Sequence, residues 1–362
     1  MEKPMSASNS RLNRRDFLKL TGGALGLSGL AYYAGFSNQP APTRSTSADY
    51  IDGLSPLPVF RGPYLQQQAQ MAAFLLGADL AALTALCDRM LNVPGSAEYK
   101  YVPLMANIVV IYADMLISSL DERDAGVGRL RETELGFWVP TLAMRKLGSS
   151  YVPQHLAWFL PFLFVDDGCA IASGREVYGF NKQLGQFQKP QDIRDPQFST
   201  SVIGFKAFDP AALAGPEPLL EIKRLDAASN TSTSAWSDWP SARSELSAEL
   251  VKNTAAGPQG SLVEAAARLV TQPAPLVFLK QFRDAADSRR ACYQAIIEAP
   301  LDIRQFTAGG FLRPAYQLGI SPLASHPLCE SLGLPAAQTA SLALWMQLDF
   351  SLGAGHEVYR AI

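Results

Sequence analysis

The chain has 362 residues, 48% of them apolar and 18% charged, with 31 basic against 33 acidic side chains. That balance excludes a disordered chain, and the length suits one or two folded domains. A net charge of −2 with no basic stripe after the first twenty residues argues against a nucleic-acid partner, while the low charged fraction calls for a large core or an apolar interface.

In chain order, residues 1–36 read as an address rather than as fold. Arg11, Arg14, Arg15 and Lys19 precede an uncharged run from Leu20 to Phe36, the charged-then-apolar layout of an export signal. Asn13-Arg14-Arg15-Asp16-Phe17-Leu18-Lys19 resembles the twin-arginine motif, which implies the twin-arginine translocation machinery as a partner and a periplasmic or otherwise exported destination. No clean small-residue cleavage site follows, so tethering through residues 20–36 stays open. Without residues 1–36 the body carries 26 basic and 31 acidic groups, a net −5. Residues 37–56 form a Pro- and Ser-rich linker.

The body, residues 57–362, opens with a predicted helix over 78–91, where Leu80, Leu83, Cys87, Met90 and Leu91 share a face and Pro94-Gly95 stops it. The first half of residues 107–118, rich in β-branched side chains, reads as a buried strand, and the apolar runs 133–144 and 156–165 read as further strands at the heart of a sheet or barrel. Composition shifts between 227 and 275. The polar run Asn230-Thr231-Ser232-Thr233-Ser234 and short amphipathic helices over 241–254 and 261–271 suggest an insertion or cap. A final helix is predicted over 335–345. Cys87, Cys169, Cys292 and Cys329 form no Cys-x-x-Cys pair, and His155, His326 and His356 are the only imidazoles, so no metal site and no cofactor are expected.

The segment 164–185 carries the chemistry. Lys182 is a lone cation among Tyr178, Phe180, Leu184 and Phe187. Such a lysine either snorkels to the surface or is desolvated, in which case its free lone pair can attack a carbonyl. Gly174-Arg175-Glu176-Val177-Tyr178-Gly179-Phe180-Asn181-Lys182 resembles the Gly-Arg-Glu to Pro-Lys-Lys-Leu segment of the acetoacetate decarboxylase family. Arg61-Gly62-Pro63-Tyr64, Val165-Asp166-Asp167 through Ala172, Phe278-Leu279-Lys280, Arg290-Ala291-Cys292 and Ser321-Pro322-Leu323 resemble further family segments in the same order.

The resemblance implies an α+β fold of mostly antiparallel strands, a cone-like barrel around a closed cavity with peripheral helices. It also implies a Schiff-base lysine, Lys182. Glu134 is then the expected cavity carboxyl, and Arg175, Tyr178 and Gln183 the expected substrate-binding positions. Gln183 stands where the family has a second lysine, and Ala69 where it has a substrate-binding arginine. No acidic residue lies between Glu134 and Asp166, so the second family glutamate is expected to be missing. Arg175 and Glu176, as neighbours, are expected on opposite faces of a strand. Two functions follow: a lysine-dependent lyase acting on a small oxo-acid or related carbonyl compound, by decarboxylase-like or aldolase/dehydratase-like chemistry, or an exported non-catalytic binding protein that keeps the cavity. Self-association stays open.

Overall fold

Alternation of apolar side chains over very long runs makes strands the dominant element. The computed structural model describes residues 49–52, 59–92, 97–124, 126–225, 235–254, 274–313 and 315–361. The export signal, most of the linker and the predicted helix over 261–271 lie outside the described residues. The chain divides into Met1–Ile51, of which only three exposed residues are described, and Asp52–Ile362, which holds every element below.

In chain order the strands are β1 (Tyr64–Gly77), β2 (Tyr99–Pro103), β3 (Asn107–Ser119), β4 (Leu130–Leu147), β5 (Ser150–Val165), β6 (Lys182–Leu184), β7 (Gln186–Gln188) and β8 (Phe198–Gly204). There follow β9 (Gly215–Arg224), β10 (Leu276–Arg283), β11 (Ala291–Ala299), β12 (Leu301–Phe311), β13 (Tyr316–Ile320), β14 (Ala337–Thr339), β15 (Leu342–Leu352) and β16 (His356–Arg360). Helices are α1 (Leu80–Cys87), α2 (Gly168–Val177), α3 (Trp239–Thr254) and α4 (Leu328–Leu332). The mostly antiparallel α+β class expected from the sequence is the one observed.

The large sheet runs β12-β15-β1-β3-β4-β5-β10-β11-β16, with β2 on β4 and β6 on β5. Its pairs are antiparallel except β5 with β6 and β5 with β10. Among the described residues the pairing does not close a ring. Yet β11 passes into β12 through Pro300 alone, so strands far apart on the path are covalent neighbours and the sheet curls back on itself. A smaller sheet, β14-β13-β9-β8-β7, covers the outer face.

Period-two alternation sorts side chains into two cores. From β4, Leu135, Phe137 and Val139 join Phe74, Tyr112, Phe198 and Tyr316 between the two sheets. The alternate residues, Glu132, Glu134 and Trp138, face inward with Met115, Leu160 and Leu163. Burial on both faces explains why these strands read as almost continuous apolar runs. Each fully buried Phe or Leu contributes roughly 1.5–3 kcal/mol.

Helix α1 starts where Asp79 Oδ1 accepts from Ala82 N at 2.7 Å, and it continues as a wider π turn over Asp88–Asn92. Strand β3 fills the whole 107–119 span rather than its first half. The predicted helix over 335–345 is not formed. Its residues enter β14 and the start of β15, which is zipped between β1 and β12. Gly333, left-handed at φ 63°, ends α4 just before. A short apolar run cannot distinguish helix from buried strand, and here pairing on both edges decided.

In the composition-shifted segment, Trp236 bridges to Gly309 and its indole is buried with Ala242, Ala73 and Leu344, so α3 is fastened onto the large sheet. Elsewhere Glu298, fully buried on β11, accepts from Tyr101 Oη at 2.7 Å and pairs with His155 Nε2 at 2.9 Å, stitching β2 and β5 to β11. Burial pushes Glu298 toward the protonated form, but the His155 charge and these hydrogen bonds outweigh it and hold the carboxyl below its ordinary range.

Candidate active site

Lys182 reaches its place through a β5-α2-β6 turn. Asp167, extended after β5, caps α2 by accepting from Ala170 N at 2.9 Å. At the other end the Gly174 carbonyl accepts from Tyr178, Gly179 and Phe180 N at 3.3, 3.1 and 3.1 Å, which reverses the chain. Gly179 sits at φ +90°, and a Cβ there would lie 2.5 Å from Lys280 Cα, so the reversal has room only for glycine. Strand β6 then runs parallel to β5, with Lys182 opposite Leu163 and Asn181 Nδ2 donating to Pro161 O at 2.8 Å. The Lys182 stem lies across Gly174, where an added Cβ would meet its Cδ at 2.9 Å. That contact gives the motif glycine its physical reason.

The amine does not snorkel. Its side chain is 8% exposed, and Nζ donates to Glu132 Oε1 at 2.7 Å, the Glu132 side chain being wholly buried. Nζ also stands 5.4 Å from the centre of the Phe180 ring. Glu134, two residues along β4, completes a triad. Burial, then repulsion from Glu132, raises its carboxyl to about 8 despite the Lys182 charge, and a hydrogen bond to Glu132 adds to the rise. At neutral pH Glu134 therefore holds a proton.

These three groups line a cavity of about 60 Å³ whose wall is otherwise almost entirely apolar, including Tyr64, Leu160, Leu163, Phe180, Leu276 and Phe350. Trp138 lies over Gly136, its Nε1 buried without a hydrogen-bond partner. Gln66 comes in from β1, just before a bulge in which Gln68 takes φ +53° and its N–H donates to Asp349 Oδ1 at 2.7 Å. Beyond the bulge Ala69 is fully buried. The Arg61-Gly62-Pro63-Tyr64 segment builds the wall. Arg61 pairs with Asp52 and Asp124, Tyr64 Oη donates to Phe60 O at 2.6 Å, and a Cβ on Gly62 would sit 2.8 Å from Tyr178 Oη.

Of the five residues expected at the site, Lys182 and Glu134 stand together on the cavity wall. Tyr178 is buried behind it, edge-on to Tyr64 at 5.6 Å and donating to Gly353 O at 2.8 Å. Gln183 leaves β6 on the opposite side from Lys182, since its register partner Phe164 packs in the other core. Arg175 is exposed, because its segment is the helix α2 rather than a strand. The cavity does hold a second glutamate, contrary to the expectation of a missing one. It is Glu132, upstream of Glu134, and the Glu-x-Glu spacing on a strand was the available signal.

No family model matches the chain, and no curated protein matches its sequence. Solved structures do resemble it. Acetoacetate decarboxylase from Legionella pneumophila aligns with a TM-score of 0.52 and 16% identity, over 87% of this chain and 98% of its own. An acetoacetate decarboxylase-like enzyme from Sphingomonas wittichii RW1 aligns at 0.51 and 13%, over 86% and 99%. This chain thus has the fold of the acetoacetate decarboxylase-like enzymes.

Proposed function

We propose that the protein is a Schiff-base lyase in which Lys182 attacks the carbonyl carbon of a small substrate. The observation that carries this reading is the Lys182–Glu132 contact of 2.7 Å inside an apolar cavity, with Glu134 alongside. A lysine that needs only to be solvated has no reason to be buried there, since placing an ion pair in an apolar interior costs several kcal/mol per ion before their attraction is counted.

The residues divide the work. Glu132 accepts a proton from the ammonium and frees the Nζ lone pair. Nζ adds to the carbonyl carbon to give a carbinolamine. Glu134, protonated at neutral pH, delivers its proton to the departing hydroxyl, and water leaves as the iminium forms. The Glu134 carboxylate left behind can take a proton from the carbon next to the iminium, giving an enamine. Glu132 keeps the proton it took from the ammonium, so the iminium cation is balanced by the Glu134 carboxylate until the enamine forms. Decarboxylase-like, retro-aldol and dehydration reactions all start from such an intermediate. Residues 1–36 are proposed to send the protein out through the twin-arginine route, on the strength of Arg14-Arg15-Asp16-Phe17-Leu18-Lys19.

Incubation with small carbonyl compounds and borohydride, followed by peptide mass mapping, tests the reading. A reduced adduct on Lys182 that is lost in Lys182→Arg is the expected result. An unmodified Lys182 with every carbonyl tried would leave a binding protein with a family-like cavity as the better account.

A further inference from the structure

We infer that the substrate of this cavity is an uncharged aldehyde or ketone rather than an oxo-acid, an inference that rests on the Schiff-base reading and adds the charge of the ligand. Among the described residues lining the cavity, Lys182 is the sole cation, and it is already matched by Glu132. Glu134 can only add negative charge. No guanidinium or second ammonium reaches the wall. Ala69 is buried and apolar, Arg175 is exposed on α2, and Gln66 brings only an amide.

A substrate carboxylate would enter a partly enclosed, mostly apolar pocket of zero net charge and find no unmatched positive partner. Burying an unpaired ion in such a place is strongly unfavourable, whereas a ketone oxygen needs only one or two donors. The cavity has a donor to give in the protonated Glu134 on its wall. After condensation the iminium carries one positive charge in place of the ammonium, balanced by the carboxylate that Glu134 becomes when it gives up its proton. The site is therefore electrically neutral with a neutral carbonyl at every stage from binding to iminium, and becomes anionic with an oxo-acid.

With no carboxylate to expel, the enamine formed at Lys182 would serve carbon–carbon bond making or breaking, or loss of water. In the bond-making direction its nucleophilic carbon adds to a second carbonyl. That carbonyl oxygen takes the proton held by Glu134, and water hydrolyses the resulting iminium to release the hydroxyketone and regenerate the amine. Atoms balance without any oxidant or metal.

The test is a paired trapping series on the full-length protein at pH 7 with borohydride, using 3-methyl-2-butanone against pyruvate and 4-methyl-2-pentanone against acetoacetate, each pair matched in heavy atoms. Half-maximal concentrations of adduct formation on Lys182 are read by mass spectrometry. The expected result is capture of each ketone at about tenfold or more lower concentration than its acid partner. A second arm uses Gln66→Arg, which brings a guanidinium to the wall and should reverse the preference toward the acids. Equal or better capture of the acids by the wild type overturns the inference while leaving the Schiff base intact. If nothing is trapped, the Schiff-base reading falls. Ligand-detected NMR binding of the same pairs then decides the charge question by itself, and tighter binding of the acids overturns it.

Discussion

Replacing Lys182 by methionine removes the only positive charge from a buried cluster and leaves Glu132, wholly buried, facing Glu134. At 2.7 Å the lost attraction is about 6 kcal/mol at an effective dielectric constant near 20, much of it cancelled by the desolvation of the lysine. The variant can escape by protonating Glu132. At pH 7 this costs about 1.4 kcal/mol for each pH unit above the ordinary glutamate value of ~4.3, or about 4 kcal/mol. That figure agrees with the roughly 3–5 kcal/mol seen when one member of a buried pair is removed. At pH 5 the same escape costs only about 1 kcal/mol. Urea denaturation of Lys182→Met should therefore show a deficit of about 4 kcal/mol at pH 7 that shrinks to about 1 kcal/mol at pH 5. The double variant Lys182→Met/Glu132→Leu, which leaves no unpaired charge, should return to within about 1 kcal/mol of wild type at both pH values. A deficit that does not change with pH, or a double variant no more stable than the single one, would refute the buried-pair argument.

Glu134 holds its proton up to about pH 8 in the folded protein, against an ordinary value of 4.5. The folded state thus binds a proton that the unfolded chain has released, stability falls as pH climbs from about 4.5 to about 8, and Glu134→Gln should flatten that part of the chemical-denaturation profile. Gly174→Ala should displace the Lys182 stem, because its Cβ would meet Cδ at 2.9 Å and Cε at 3.0 Å. Slower adduct formation at nearly unchanged melting temperature is the expected result. Trp236→Ala should cost about 3–5 kcal/mol in urea denaturation, since the indole fastens α3 to the sheet. A change under about 1 kcal/mol would make that segment dispensable.

Much of this architecture was legible in the residues. The β-branched run at 107–118 and the apolar runs at 133–144 and 156–165 became β3, β4 and β5, since long runs buried on two faces leave few alternatives. The Gly174–Lys182 motif carried the resemblance whose fold the solved structures share. What escaped depends on pairing and direction. Residues 335–345 have helical composition, but 337–339 pair with β13 and 342–345 enter the strand zipped between β1 and β12. Arg175 lies on a helix rather than a strand because Asp167 caps α2, and the helix turns its side chain outward. The second carboxylate, Glu132, lies two residues upstream of Glu134, outside the acid-free run between Glu134 and Asp166. Gln183, a substrate-binding position by the resemblance, turns away from Lys182 because adjacent residues on a strand face opposite ways.

The central claim is that Lys182 forms and hydrolyses an iminium with a small neutral carbonyl compound. Each such cycle replaces the carbonyl oxygen with one from water, so the reaction can be followed without knowing the physiological substrate. Acetone incubated with the purified protein in water enriched in heavy oxygen should take up the label far faster than in buffer, more slowly with Glu134→Gln, and at the buffer rate with Lys182→Met. Uptake at the buffer rate with the wild-type protein, or equal uptake with Lys182→Met, would contradict the account.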